Sequence, residues 1–421
     1  MKKQGKRTLT PKLRFPEFRG DASGWESESL GRLFVNRQEK GFSDLPLLSV
    51  TDERGIIPQE EINRRDNSSS DKSKYLRVIP GDIAYNTMRM WEGRSAYVDR
   101  KGLVSPAYTV CQPQKGTHGK FFSYYFKTAS LIEHFRKYSQ GLVKDTLNLK
   151  YDKFACISVP SPLFAEQQKI ADCLSSLDGL IAAEGRKLEA LRDHKRGLMQ
   201  QLFPREGETV PRLRFPEFRG KGEWESKPFG EVVVRSFYGT SNSTSENGQY
   251  PVLRMGNMAG GGLDFSNLVY IDLDPDSFTK IRLIRGDILL NRTNSLDLVG
   301  KISMFDRDIE CITASYIVTY RLDKKQIVPT FCNLMLNTQQ FQSKIKALAR
   351  PSVSQANINP TTFRNELIVF VPKIAEQLKI ADCLSSLDDL IGAQAKKVEL
   401  LKQHNKGLMQ QLFPSPAEVE V

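Results

Sequence analysis

The sequence predicts an α+β chain: two mixed α/β domains separated by two long helices, the helices packed as an antiparallel coiled coil and the whole forming a pseudo-twofold internal repeat. Three observations carry this. Residues 13–20 read LRFPEFRG, and residues 213–220 read LRFPEFRG again. Residues 165–204 recur at 375–414 with 28 of 40 positions identical. In both copies of that second segment apolar residues return with the 3.5-residue period of a coiled coil. The offsets of 200 and 210 are close to half of the 421 residues, so the chain runs variable, shared, variable, shared. Solenoid arrays recur every ~20–50 residues in three or more copies. Two long copies instead signal a duplicated domain pair that offers one surface twice.

In the shared segments the seam is Ile170, Leu174, Leu177, Ile181, Leu188, Leu191, Leu198 and Leu202, repeated as Ile380, Leu384, Leu387, Ile391, Val398, Leu401, Leu408 and Leu412. Glu184 and Lys195 fill two seam positions of the first copy, and Gln394 and Asn405 the same two of the second. No proline interrupts, and Ala, Leu, Gln, Glu and Lys favour helix. About 38 residues at 1.5 Å each give rods of roughly 57 Å. One apolar seam cannot stabilise a lone helix, so the copies are expected to pair antiparallel, placing the variable segments at opposite ends, with the polar seam residues fixing register. His194 and His404 match in register beside the seam and read as solvated residues, with no second metal ligand near.

The variable segments, roughly 25–160 and 224–370, carry short β-rich runs between turn signals. Strand candidates are 78–86, 95–98 and 107–110 in the first, matched by 283–291, 300–305 and 315–320 in the second. One amphipathic helix is expected at 121–139 and one at 331–349, each followed by a loop (GLVKDTLNLKYD, RPSVSQANINPTT) and a last strand at 156–160 or 367–372. A shared scaffold with divergent polar loops suits two readers of different targets.

Composition narrows the partners. Lys plus Arg total 61 against 49 Asp plus Glu, a formal charge of +12, which suits an anionic polymer as partner and equally suits simple solubility. The hydrophobic share of 39% is that of a folded chain, and the mean hydropathy of −0.41, with no long apolar run, argues against a membrane span. Lys2, Lys3, Lys6 and Arg7 precede no apolar stretch, so no secretory signal is expected. Six cysteines without a CxxC spacing suggest neither a disulfide framework nor a zinc site, and a reducing cytoplasm is the expected setting.

The GD-led strands (Gly81, Asp82, Asn86; Gly286, Asp287, Asn291) and the AEQxKIADxLSSLDxLI helix openings, each present twice in this order, resemble the specificity (S) subunit of type I restriction-modification systems. The resemblance covers nearly the whole chain. It implies target-recognition domains at 1–163 and 205–372, conserved spacer helices at 164–204 and 373–414, and a tail at 415–421. It further implies a noncatalytic subunit in which each variable domain reads one half of a bipartite site on double-stranded DNA and the helix pair sets the gap between halves. Two modification (methyltransferase) subunits are expected to dock on the repeated surface, and restriction (helicase-nuclease) subunits to join them. S-adenosylmethionine, ATP and Mg are then expected on those partners, with no cofactor or metal in this chain.

Enzyme motifs fit poorly. NPTTF at 359–363 lacks the second proline of an adenine-methyltransferase motif and has no counterpart in the first half. No GxxxxGK[ST] phosphate loop occurs, and Gly260, Gly261 and Gly262 lack dinucleotide-fingerprint spacing and read as a turn. Four histidines and no paired acids give no metal-dependent cleavage site.

Candidate DNA contacts are cations for phosphate and bidentate polar side chains for base edges. In the first domain these are Arg64, Arg65, Lys72, Lys74, Arg89, Arg94 and Lys144; in the second, Arg254, Asn257, Arg292, Asn294, Lys344, Arg350, Ser354 and Gln355. Arg89 and Arg292 stand out because both closely follow the GD strand. Trp91 reads as a packed ring or as a wedge at a base step. The alternative functions are a free-standing pseudo-symmetric DNA-binding regulator and a coiled-coil adaptor that binds no nucleic acid.

Overall fold

The computed structural model describes residues 10–20, 24–51, 54–62, 71–295, 298–351 and 355–414. The chain forms two compact units, one of Met1–Gly185 with Lys396–Val421 and one of Arg186–Ala395. The expected domain boundaries followed the helix ends, whereas these units divide within both long helices, because each unit takes part of each helix into its core.

In the first unit, four antiparallel strands lie in the order Phe34–Asn36, Tyr108–Pro113, Ile83–Asn86, Ser95–Tyr97. Helices Gly119–Tyr125 and Ala129–Tyr138 cover the sheet. The core is aromatic: Trp25, Phe34, Phe121, Phe122, Tyr125, Phe126, Phe135 and Phe154 are essentially inaccessible. Ile170, Ala171 and Leu174 from the first long helix and Leu412 and Phe413 from the end of the second join it. Phe413 stacks on Tyr125 with centroids 4.9 Å apart.

The second unit repeats the plan with the strand order Val233–Tyr238, Ile317–Leu322, Ile288–Asn291, Ile302–Met304. Its core takes Leu202 from the first long helix, Phe203 just beyond it, and Ile380, Ala381 and Leu384 from the second. The single helices expected at 121–139 and 331–349 are each two. Thr128 breaks the first by capping Ala129–Tyr138, its hydroxyl accepting from the Leu131 amide. Thr338 does the same between Pro329–Leu336 and Gln339–Ala347. A threonine inside an amphipathic run competes for backbone donors, which the apolar period alone does not reveal. Within the loop expected after 349, the described residues form the paired strands Ala349–Pro351 and Ala356–Ile358 and the helix Pro360–Glu366. The NPTTF stretch is the start of that helix: Asn359 accepts from the Thr361 and Thr362 amides and Pro360 takes the first helical position. Gly260 and Gly261, with φ of 58° and 85°, turn a two-residue hairpin between Met258–Ala259 and Gly262–Leu263.

The long helices run Phe164–Leu202 and Ile374–Leu412. Within the first unit Asn405 donates to Asp178 at 2.7 Å and Lys397 meets Glu184 at 2.5 Å, so the two helices run antiparallel. Within the second unit Lys195 meets Asp388 at 2.6 Å. Ile170, Leu174, Leu188, Leu202, Ile380, Leu384, Val398 and Leu412 are buried, while Leu177, Ile181, Leu191, Leu387, Ile391 and Leu401 are half-buried. His194 and His404 are exposed.

Candidate nucleic-acid interface

Two locks, each made twice, hold the scaffold. The first joins the repeated LRFP strap to the helix opening. Arg14 donates from Nε and Nη2 to both carboxylate oxygens of Glu166 at 2.8 and 2.6 Å, and Trp25 Nε1 donates to the same carboxylate at 3.3 Å. In the second copy Arg214 reaches Glu376 at 2.7 and 2.8 Å, and Trp224 reaches it at 3.3 Å. The neighbouring Gln167 accepts from the His118 amide and donates to the Pro162 carbonyl; Gln377 accepts from the Val328 amide and donates to the Pro372 carbonyl. The Glu-Gln pair that opens each helix therefore anchors the strap and the domain's helices to one spot.

The second lock is the GD turn. Ile79 to Asp82 closes a β-turn with Pro80 second and Gly81 third, the glycine at φ 103°, as a type II turn requires. The Asp82 carboxylate accepts from the Ile79 amide at 3.0 Å and from Arg37 Nε at 2.9 Å. Asp287 accepts from the Ile284 amide at 2.8 Å and from Arg321 Nε at 2.9 Å, with Gly286 at φ 98°. Both aspartates are buried, so these motifs fix the strand entry rather than touch a ligand.

Beyond the GD strands lie the candidate contacts. In the second unit a small sheet in the order Thr293–Asn294, Ala356–Ile358, Ala349–Pro351 gathers Arg292, Asn294, Arg350 and Gln355. Arg292 donates to Tyr238 Oη and Thr293 Oγ1, both at 3.3 Å, and lies 5.4 Å from the Tyr238 ring centroid. Thr293 donates in turn to Asn357 Oδ1. Asn294 Nδ2 lies 3.1 Å from the Met255 sulfur, next to exposed Arg254. Asn257 is a correction: it is buried, accepting from the Arg254 amide and donating to the Asp264 carbonyl, so it shapes its loop and reads no base. Lys344 stands apart, 3.9 Å from Glu206. Ser354 lies outside the described residues.

In the first unit Arg89 and Arg94 share Glu92, at 3.1 and 3.3 Å, and both remain about half exposed. Trp91 is buried and its Nε1 donates to the Met88 carbonyl at 2.9 Å; Lys144 Nζ sits 5.3 Å from its ring centroid. The packed reading of Trp91 holds, and the ring serves as a platform for a cation. Lys72 lies over Tyr75 at 4.8 Å, and Lys74 is exposed. Arg64 and Arg65 lie outside the described residues. Sequence reasoning missed Tyr238, Thr293 and Asn357, whose polarity is ordinary and whose meeting depends on strand pairing across more than 50 residues.

The type I restriction modification DNA specificity domain family matches this chain over residues 46–193 and 221–403, once in each half and over most of its length. The chain belongs to this family. It is similar to the type I restriction enzyme MjaVIII specificity subunit of Methanocaldococcus jannaschii, 25% identical over 83% of both chains. It also resembles the putative MjaX specificity subunit of the same organism, 29% identical over 45% of each chain, so there it spans under half of the relative's length. Among solved structures, the S subunit of a type I restriction-modification system from M. genitalium superposes with a TM-score of 0.55 over 97% of this chain and 100% of that one, at 15% identity. A chain solved in work on complex assembly and conformational transition of the type I R-M system gives 0.57 over 96% and 100%, at 13% identity. As a member of the specificity family, the chain is a DNA-recognition subunit, and the enzymatic activities reside on other subunits. Among the described residues no helix is long and apolar enough to cross a membrane, and no cluster of three or more potential metal ligands occurs.

Proposed function

We propose that each variable domain of this specificity subunit reads one half of a bipartite site on double-stranded DNA. In the first domain the contacts come from Arg89, Arg94, Lys144, Lys72 and Lys74. In the second they come from Arg254, Arg292, Asn294, Arg350 and Gln355. The observation that carries this is one framework presenting unlike polar surfaces at the same place in its two copies, Arg89–Glu92–Arg94 with Lys144 in one and the Arg292–Thr293–Asn357 sheet in the other. Guanidinium groups suit guanine O6 and N7, and amides suit adenine N6 and N7. The antiparallel helix pair sets the unread gap and docks two methyltransferase subunits, which restriction subunits join; S-adenosylmethionine, ATP and Mg act on those partners, in the cytoplasm.

Mapping methylated adenines in a host genome with and without this chain tests the reading. One bipartite motif should vanish when the chain is removed. An unchanged methylation map, or methyl transfer by the isolated chain supplied with S-adenosylmethionine, overturns it.

A further inference from the structure

The first domain carries apolar side chains at the edge of its cationic surface. Leu142 is 102% exposed and Val143 61%, and Met88, on the turn that carries Arg89, is 47% exposed. Scattered surface leucines are ordinary, but these sit on a stiff mount. Gln140 and Asn148 exchange two backbone hydrogen bonds of 2.9 Å at the base of the loop. Inside it the Thr146 amide donates to the Val143 carbonyl at 2.9 Å, as does the Thr146 hydroxyl. The Leu149 amide donates to the Thr87 carbonyl at 2.8 Å, fastening the loop to the turn that bears Arg89. Lys144 is held over the Trp91 ring. In the second domain the corresponding place carries Arg350, Gln355 and Asn357, and residues 352–354 between them lie outside the described residues.

A leucine and a valine offer no hydrogen bond to a base edge, so a rigid apolar tip flanked by cations acts on DNA by entering the stack. We propose that Leu142, backed by Val143, is a wedge that inserts at a base step of the half-site read by the first domain, while Lys144 and Arg89 hold the flanking phosphates. This rests on the reading of that surface as the DNA face. The first half-site is then kinked, favouring a deformable pyrimidine–purine step.

Once the bipartite site is mapped, 2-aminopurine is placed at successive positions of the first half-site other than the methylated base, which a methyltransferase itself extrudes. The full chain assembled with its methyltransferase subunits should brighten the probe at one step. Leu142→Ala should abolish the brightening and weaken binding roughly tenfold with the salt slope unchanged, and Leu142→Met should retain both. Lys144→Ala should lower the salt slope by about one and leave the brightening. Absence of brightening at every position with the unmodified chain, or full affinity in Leu142→Ala, overturns the wedge. So does weakened subunit assembly with DNA binding intact, which would make the tip a protein contact. If Arg89→Ala and Lys144→Ala also leave binding and salt slope untouched, the surface is not the DNA face and the reading beneath the wedge fails as well.

Discussion

Glu166 shows how much one side chain carries in this fold. Its carboxylate is 1% accessible and takes three donors, two from Arg14 and one from Trp25. Arg14→Ala leaves that charge buried with one indole donor, and is expected to cost roughly 3 kcal/mol in chemical denaturation of the full chain. Glu166→Gln in the Arg14→Ala background should recover part of the loss by removing the charge. His118 supplies a pH dependence. Its Nδ1 accepts from the Phe121 amide at 3.3 Å to cap Gly119–Tyr125, which requires a neutral ring. Burial lowers its pKa, with Lys120 adding to and Asp172 opposing the shift. The folded state therefore binds the proton less readily than the unfolded chain. The cap's contribution is complete above the ordinary histidine pKa of ~6.5 and declines as pH falls through the lowered folded value. His118→Asn, a capping residue that does not titrate, should flatten stability across that interval in denaturation series at successive pH values. Both LRFPEFRG and AEQ are visible in the sequence as repeats. That one motif's arginine meets the other's glutamate is not, because the pair spans 152 residues and only the folded chain brings them together.

At the scale of elements, the helices are the best-written part of the sequence, since a 3.5-residue apolar period has few other solutions. Their polar seam residues reach flanking partners on the facing helix, as in Glu184 with Lys397 and Lys195 with Asp388. Leu384, fully buried, should cost about 2–5 kcal/mol as Leu384→Ala. Lys195→Ala, in an ion pair whose aspartate is half exposed, should cost less than about 1 kcal/mol. Equal effects of the two in urea unfolding would mean that the seam is not what holds the helices. Inserting one heptad in phase into both helices adds roughly 10 Å. The mapped methylation motif should then keep both halves and widen its gap by about three base pairs. The named strand candidates lie within a few residues of observed strands, but Phe34–Asn36 and Val233–Tyr238, one edge of each four-stranded sheet, are not among them, and Asn257 illustrates the limit for site residues. Its amide suits an adenine edge, and only its burial and its bonds to Arg254 and Asp264 show that the loop has claimed it.

On the scale of the whole molecule, each duplicated half is a recognition module of its own. Replacing residues 25–160 with those of another family member should change one half of the methylated motif and leave the other, read by sequencing of methylated adenines. A change in both halves, or in neither, would contradict the assignment of one half-site to each domain. The buried aspartate of the GD turn sets the grain at which such exchange works. Asp82 takes its arginine from position 37, just past Phe34–Asn36, whereas Asp287 takes its arginine from position 321 in Ile317–Leu322. The acceptor is fixed and the donor has changed strands. A crossover inside a domain, between the two versions, would leave the aspartate facing two guanidinium groups or none. Recombination along this chain is therefore expected to succeed in whole cassettes and to stall in fragments, which makes the unit of inheritance for a DNA specificity the complete domain.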